Sequence, residues 1–320
     1  MRQAIVDDSW TGKLRAWLTA PQPIERLALA RIVLPLVLLA FQSSRLVHAD
    51  EWLSAVGFRV PDLGGDWRQP LYIPAIPVGL AWAVAVLMTV SGLALSAGLF
   101  TRLAAGIFSA LLAYVALADR LEAFTVSKLG PMLALALCLS PSGARYGVDA
   151  WLRRRRHPET PVPTHVRGGV IRFFQIFLCA MYSGAGIAKL RGDWLDKDVL
   201  WSHLHDNYQT WISWAMSRAV PGWGWQVLQY LSLIFETAAP LWFALRWTRP
   251  YAVIYALGMH ALIGLMFGPV IWFAILMSTL LVACYLPERW LLRLFGRPAV
   301  GEATAPATAT ASRTAGSRRR

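Results

Sequence analysis

Charge is scarce in this chain. Of its 320 residues only 15% are Asp, Glu, Lys or Arg, against 56% hydrophobic residues and a mean hydropathy of +0.45. A soluble domain carries about a quarter charged residues, so the composition excludes one and reads as an integral membrane protein. Cysteine is also rare: Cys138, Cys179 and Cys284 each fall inside an apolar segment and form no CxxC pair, which argues against a redox or metal site. There is no GxSxG and no phosphate-binding loop, so the conventional motifs of soluble enzymes are missing. Residues 1–22 contain Asp7, Asp8 and Trp10 and lack the apolar core of a signal peptide, so no cleavage is expected. Acidic residues are few as well, which leaves a net charge of +13. The basic residues sit at the ends of apolar segments and in the tail, the pattern of membrane topology, and no nucleic-acid partner is expected.

What is present is a succession of apolar runs. About twenty apolar residues span a bilayer as a helix, and the runs predict an all-α membrane protein, a polytopic bundle of about eight spans. Their expected positions are 27–42, 76–100, 103–118, 121–141, 169–190, 225–245, 251–267 and 270–285. The domain reading is an N-terminal segment over 1–23, a transmembrane domain over 24–297 and a disordered basic tail over 298–320. The fourth span carries Lys128 and Pro131 and is expected to be kinked or re-entrant. Between the fourth and fifth lies a basic, proline-containing linker with Arg153 to Arg156 in a row. Trp201, Leu204, Tyr208, Trp211, Ile212 and Ala215 recur at helical spacing and predict an interfacial helix. The segments assigned to the cytoplasm hold 20 Lys and Arg and the opposite loops hold 8, which places both termini inside. The expected location is the cytoplasmic (inner) membrane of the cell, crossed many times, with the lipid bilayer as first partner.

Ionisable residues within such spans are costly and mark functional sites by default. Lys189 ends the fifth span in Tyr182-Ser183-Gly184-Ala185-Gly186-Ile187-Ala188-Lys189-Leu190. Helical spacing puts Tyr182, Ala185, Gly186 and Lys189 on one face, and Gly184 and Gly186 leave room for a close neighbour. A structural alternative is a lysine that snorkels to the interface, with Asp193 or Asp196 as its partner. Glu236 and His260 lie deeper in their spans. A carboxylate at that depth needs a partner, and His260 reads equally as a hydrogen-bonded core residue or a reactive one. Desolvation disfavours an ammonium, so a lysine in such a place can present a free amine as a base toward a weakly acidic, lipid-soluble substrate such as a quinol. His203 and His205, at i, i+2, point to different sides of a helix and make a poor metal pair.

These residues resemble a known family. Tyr182, Ala185-Gly186, Lys189-Leu190 and Asp193-Trp194 are similar to the Y-x-x-A-G-x-x-K-L-x-x-D-W segment of the vitamin K-dependent gamma-carboxylase. They also resemble its bacterial relatives, the horizontally transferred transmembrane (HTTM) domain proteins. Arg31, Thr101-Arg102, Leu139-Ser140-Pro141, Glu236 with Pro240, His260 before Met266-Phe267, and Phe273 with Met277 extend the likeness over about residues 26–293. The resemblance implies that Lys189 is a base toward a reduced quinone of the vitamin K or menaquinol type, with Tyr182, Glu236 and His260 in its pocket and no metal. It implies carbon–carbon lyase and quinol-epoxidation chemistry of the carboxylase kind, with a secreted peptide or protein as substrate. Two departures stand against it. Thr125-Val126 occupies the place of the family's Asn-His pair, and no lumenal substrate-binding domain follows the last span. The alternative is a non-enzymatic membrane protein for maturation, export or immunity of a secreted peptide.

Overall fold

The computed structural model describes residues 9–57, 73–118, 124–195, 199–205 and 210–296. The expected disordered tail over 298–320 lies outside them. The main body, which extends through Tyr285, is almost wholly helical. Four of its helices are long and apolar enough to cross a membrane: Val78–Ala97 (α4), Thr101–Ala118 (α5), Gly169–Arg191 (α8), and Ile271–Tyr285 (α14) with the short turn Gly268–Val270 before it. A second unit begins at Leu286 and contributes one described helix, Glu288–Leu294 (α15), in which Arg293 lies over its own Trp290.

The chain opens with a surface helix, Trp10–Thr19 (α1), capped by the Ser9 hydroxyl, which accepts from the Gly12 N–H. A three-residue strand, Pro21–Pro23 (β1), then pairs antiparallel with His165–Arg167 (β2) in the basic linker. That pairing ties the linker to the start of Ile24–Leu46 (α2), the central helix, which buries Leu27, Ala30, Leu34 and Leu38 along one stripe at helical spacing. On one flank α2 meets α4 and Thr125–Cys138 (α6), with α5 packed between those two; on the other it meets α14, which also contacts α8 and Arg249–Met266 (α13). The outward face of α4 leaves Leu80, Trp82, Val86, Leu87, Val90 and Leu93 uncovered. So large an exposed apolar surface marks a membrane-facing side.

Several boundaries differ from the sequence reading for physical reasons. The sixth run, 225–245, is two helices, Gly222–Thr237 (α11) and Ala239–Ala244 (α12). Pro240 has no N–H to give to the carbonyl four residues earlier, which belongs to Glu236, and its ring crowds that carbonyl. The chain therefore breaks at Ala238, whose φ and ψ are −97° and 13°. The surface helix expected from 201 is split into Val199–His203 (α9) and Trp211–Ala219 (α10). Thr210, extended and hydrogen-bonded to the Ser213 N–H, starts α10 afresh; Tyr208 lies outside the described residues. Helix α6 runs unbroken through Pro131 for 14 residues, about 21 Å at 1.5 Å per residue, short of a bilayer core. Ala49–Leu53 (α3) forms a single turn between α2 and α4.

Where α4 ends, a buried polar network replaces the apolar core. Gly98 caps the helix with a left-handed φ of 72°, and a methyl group there would collide with the Arg31 guanidinium. Arg31, fully buried on α2, donates to the carbonyls of Leu95, Ser96 and Tyr146 at 3.3, 2.9 and 2.5 Å. Those acceptors include the orphan carbonyls of the α4 C-terminus, where a cation also meets the negative end of the helix dipole. The Tyr146 hydroxyl in turn donates to Glu25 at 2.9 Å.

Candidate functional site

Helix α8 presents Tyr182, Gly186 and Lys189 inward, while Ala185 and Gly184 face outward. The inward face is thus narrower than the spacing implied. Gly186 is where α8 and α11 touch: a Cβ there would stand 2.6 Å from the Thr237 backbone nitrogen, whereas one on Gly184 would meet nothing within 4 Å. Only glycine at 186 allows this approach. It sets the register that brings Lys189 to Glu236, one residue before Thr237.

Lys189 Nζ and a Glu236 carboxylate oxygen lie 2.7 Å apart, with the lysine side chain 20% exposed and the glutamate 8%. The ammonium also stands over the Trp194 ring, 4.2 Å from its centroid. The carboxylate partner is therefore Glu236; among the described residues Asp193 makes no ion pair with Lys189, and Asp196 lies outside them. Gln229 fixes this arrangement. Buried on α11, it donates to the Trp194 carbonyl at 2.9 Å and accepts from the Leu200 N–H at 3.0 Å, while the Trp194 indole donates to the Gln229 carbonyl. A cavity of about 320 Å³ opens beside the pair, walled by Trp194, Trp225, Tyr255 and Met259 among others.

Tyr182 and His260 form a second pair. The phenol oxygen and His260 Nε2 share a hydrogen bond of 2.7 Å, with both side chains buried. Tyr182 lies two turns before Lys189, about 10 Å along the helix axis, so one helix supplies a member of each pair. Aromatic rings join the two levels. Phe235 contacts Tyr182 at 5.3 Å between centroids and Tyr255 at 4.7 Å, and Tyr255 lines the Lys189 cavity. His260 Nδ1 is buried without a hydrogen-bond partner among the described residues, and His260 lines a separate apolar groove of about 520 Å³ between α2, α13 and α14.

All four residues singled out in the sequence thus converge on one side of α8, in two stacked pairs. Sequence reasoning missed Gln229 and Ser232, the second of which lines the Lys189 cavity. With Glu236 they recur at i, i+3 and i+7 on an otherwise apolar helix, a polar stripe that was available as a signal. Arg31 and Arg172 stand apart. Arg31 caps α4, and Arg172 donates to Gln175 at 2.8 Å and lies over Trp17. His203 and His205 turn their Nδ1 atoms to the carbonyls of Val199 and Trp201, and no cluster of metal-ligating side chains occurs among the described residues.

A family model described as HTTM domain matches residues 20–290, which contain every residue of both pairs. The chain belongs to the HTTM domain family. No curated protein and no solved structure gives a match. With that domain and four helices of membrane-crossing length and apolarity, the protein is an integral membrane protein. Within the HTTM domain, the Lys189–Glu236 pair can hold one proton between an amine and a carboxylate beside an apolar cavity. The same atoms can equally act as an ion pair that staples α8 to α11.

Proposed function

We propose that this HTTM domain crosses the cytoplasmic (inner) membrane about eight times with both termini inside, and that the Lys189–Glu236 cavity binds a reduced, lipid-soluble quinone. The observation that carries the reading is a partly buried amine and a buried carboxylate 2.7 Å apart at the wall of a largely apolar cavity of about 320 Å³. Such a cavity, apolar with a few convergent polar groups, suits the ring of a membrane-soluble ligand. A reduced quinone supplies, when bound, a weakly acidic hydroxyl. In this reading Glu236 carries the pair's proton in the receptive state and leaves Lys189 as a free amine. Lys189 Nζ then takes up the hydroxyl proton, and the ammonium formed stays beside the negative charge left on the ligand oxygen. Trp194 and the apolar wall shield the carboxylate side of the pair from water, which strengthens that electrostatic stabilisation. Tyr182 and His260 form the neighbouring pair, joined to the cavity wall through Phe235 and Tyr255. The resemblance to the carboxylase core extends this step to quinol-dependent carboxylation and epoxidation, with a secreted peptide or protein as acceptor.

The test is purified protein reconstituted with menaquinol, carbon dioxide and oxygen. Quinol binding and epoxide formation are expected from the native chain, and Lys189→Met should abolish epoxide formation in a variant that still folds. Absence of both quinol binding and turnover in the native protein would remove the reading. The direct ion pair also favours a second one, in which Lys189 and Glu236 only join α8 to α11 and the protein serves maturation, export or immunity of a secreted peptide. There the variant Lys189→Met/Glu236→Leu, which restores neutrality, keeps the cellular phenotype; under the enzymatic reading it loses it.

A further inference from the structure

Helix Val148–Arg156 (α7) follows the polar network at the end of α4, and its attachment fixes its depth in the membrane. Asp149, in the first turn, accepts hydrogen bonds from the N–H groups of Phe100 and Thr101 at 2.9 Å each and from the Thr101 hydroxyl at 2.8 Å. Its own N–H donates to the Gly98 carbonyl at 2.9 Å. Just before the helix, the Tyr146 carbonyl is held by Arg31. Gly98 ends α4 and Thr101 begins α5, two helices with the length and apolarity of membrane spans. A helix bonded to the turn between them lies where those spans leave the hydrocarbon, at the depth of the lipid headgroups.

The exposed side of α7 suits that depth. Arg153, Arg154, Arg155 and Arg156 occupy its last turn and are all exposed. Trp151 is exposed as well, and the Arg155 guanidinium stands 3.9 Å over its ring. Amphipathic indoles prefer the interface, and basic clusters beside a span draw anionic lipid. Among the described residues no carboxylate comes within ion-pair distance of any of the four guanidinium groups; Glu159 faces His157 instead, at 3.5 Å. Asp149, one turn earlier, offsets only Arg153 and has its oxygens taken up by Phe100 and Thr101, so the arginine turn keeps an excess of positive charge that an external anion can neutralise. Between α7 and the following loop lies a niche of about 140 Å³, edged by Arg153, Arg154, His157 and Thr160, of a size for a phosphate group.

We propose that α7 is a docking site for the phosphate headgroups of anionic phospholipids, with the arginine turn and the niche taking the phosphate and Trp151 resting at the level of the upper acyl chains. The site is separate from the Lys189 cavity and does not depend on the chemistry proposed there. The occupant is a bilayer lipid because the clamp on Gly98 and Thr101 holds the arginines at the surface where lipid phosphates are concentrated.

The test is titration of the full chain in detergent with phosphatidylglycerol and with phosphatidylcholine, with bound lipid resolved by native mass spectrometry. The native protein should bind phosphatidylglycerol at least fivefold more tightly, the factor expected for about one arginine-equivalent of interfacial attraction. The variant with Arg153, Arg154, Arg155 and Arg156 all changed to Gln should lose most of that preference. The variant with all four changed to Lys should keep it, since point charges suffice for a headgroup. These side chains are exposed, so an unchanged thermal midpoint in the glutamine variant is expected and certifies its fold; a variant that misfolds is replaced by Arg153→Gln/Arg154→Gln, which empties the niche edge. The proposal is overturned if native protein binds the two lipids equally, if the preference survives in the glutamine variant, or if millimolar inorganic phosphate displaces the lipid.

Discussion

Replacing Lys189 by methionine removes the cation of a pair whose carboxylate is only 8% exposed. Breaking a buried ion pair from one side costs about 3–5 kcal/mol, because a charge is left without compensation. Uptake of a proton by Glu236 limits the loss, so about 3 kcal/mol is expected. Glu236→Leu should cost less, about 1–2 kcal/mol, since Lys189 is 20% exposed and keeps the Trp194 ring as a partner. The informative variant is Lys189→Met/Glu236→Leu. Replacement of both partners by apolar groups of similar volume is often neutral, so the double variant should lie within about 1 kcal/mol of the native protein. The singles and the double together then give a coupling of about 2 kcal/mol or more. Denaturant titration in micelles, followed by tryptophan fluorescence, measures all four corners of the cycle. If the two singles add to the double within about 0.5 kcal/mol, the side chains are energetically independent and the reasoning fails. A strongly coupled, stable and inactive double variant would show that the pair serves chemistry as well as packing.

Other outcomes follow from features already described. Gly186→Ala should destabilise by about 1–3 kcal/mol because its methyl group meets the Thr237 backbone, while Gly184→Ala, in open space, should be neutral or slightly stabilising; thermal unfolding of the two compares them directly. Arg31→Lys should cost about 3 kcal/mol, since an ammonium cannot reach the three carbonyls that the planar guanidinium serves, and a loss of yield and melting temperature would register it. Partial burial opposes ionisation of Asp149, but the hydrogen bonds from Thr101 and Phe100 outweigh it and hold the carboxyl below its ordinary value of 3.8. A depressed folded-state value means that the charged form adds stability above pH about 4 and that this stability is lost as pH falls below it. Asp149→Asn should therefore flatten the acid limb of a stability–pH profile.

The helical character and the ends of α4, α5 and α8 were legible because hydropathy and helical length are local properties. The four inward residues were legible too, since each stands out as polar or ionisable in an apolar run. Their pairing was not. Glu236 comes 47 residues after Lys189, and only the Gly186–Thr237 contact, a property of two packed helices, sets them face to face. Nor did periodicity reveal that Pro240 breaks its span beside Glu236, although the proline was visible; its effect depends on which carbonyl it crowds. Arg31 is a charge within an apolar run, and its use as a cap for a different helix is a tertiary fact. Gln229 is an uncharged polar residue, yet its side-chain amide bonds the Trp194 carbonyl and the Leu200 N–H while its main-chain carbonyl accepts from the Trp194 indole.

The order in which the two halves of the ion pair are made has a consequence for biogenesis. A ribosome adding about 5–20 residues per second needs roughly 2–10 seconds to pass from Lys189 to Glu236. During that interval Lys189 is without Glu236, its partner in the folded protein. Lys189 stands in the last turn of its helix, next to the Trp194 ring, so the ammonium can wait at the membrane surface. Glu236, made later and nearer the middle of the apolar stretch formed by α11 and α12, then finds its counter-ion already in place on an earlier helix. Placing the cation at a helix end and the anion deeper thus lets the chain be inserted sequentially without stranding a charge in lipid.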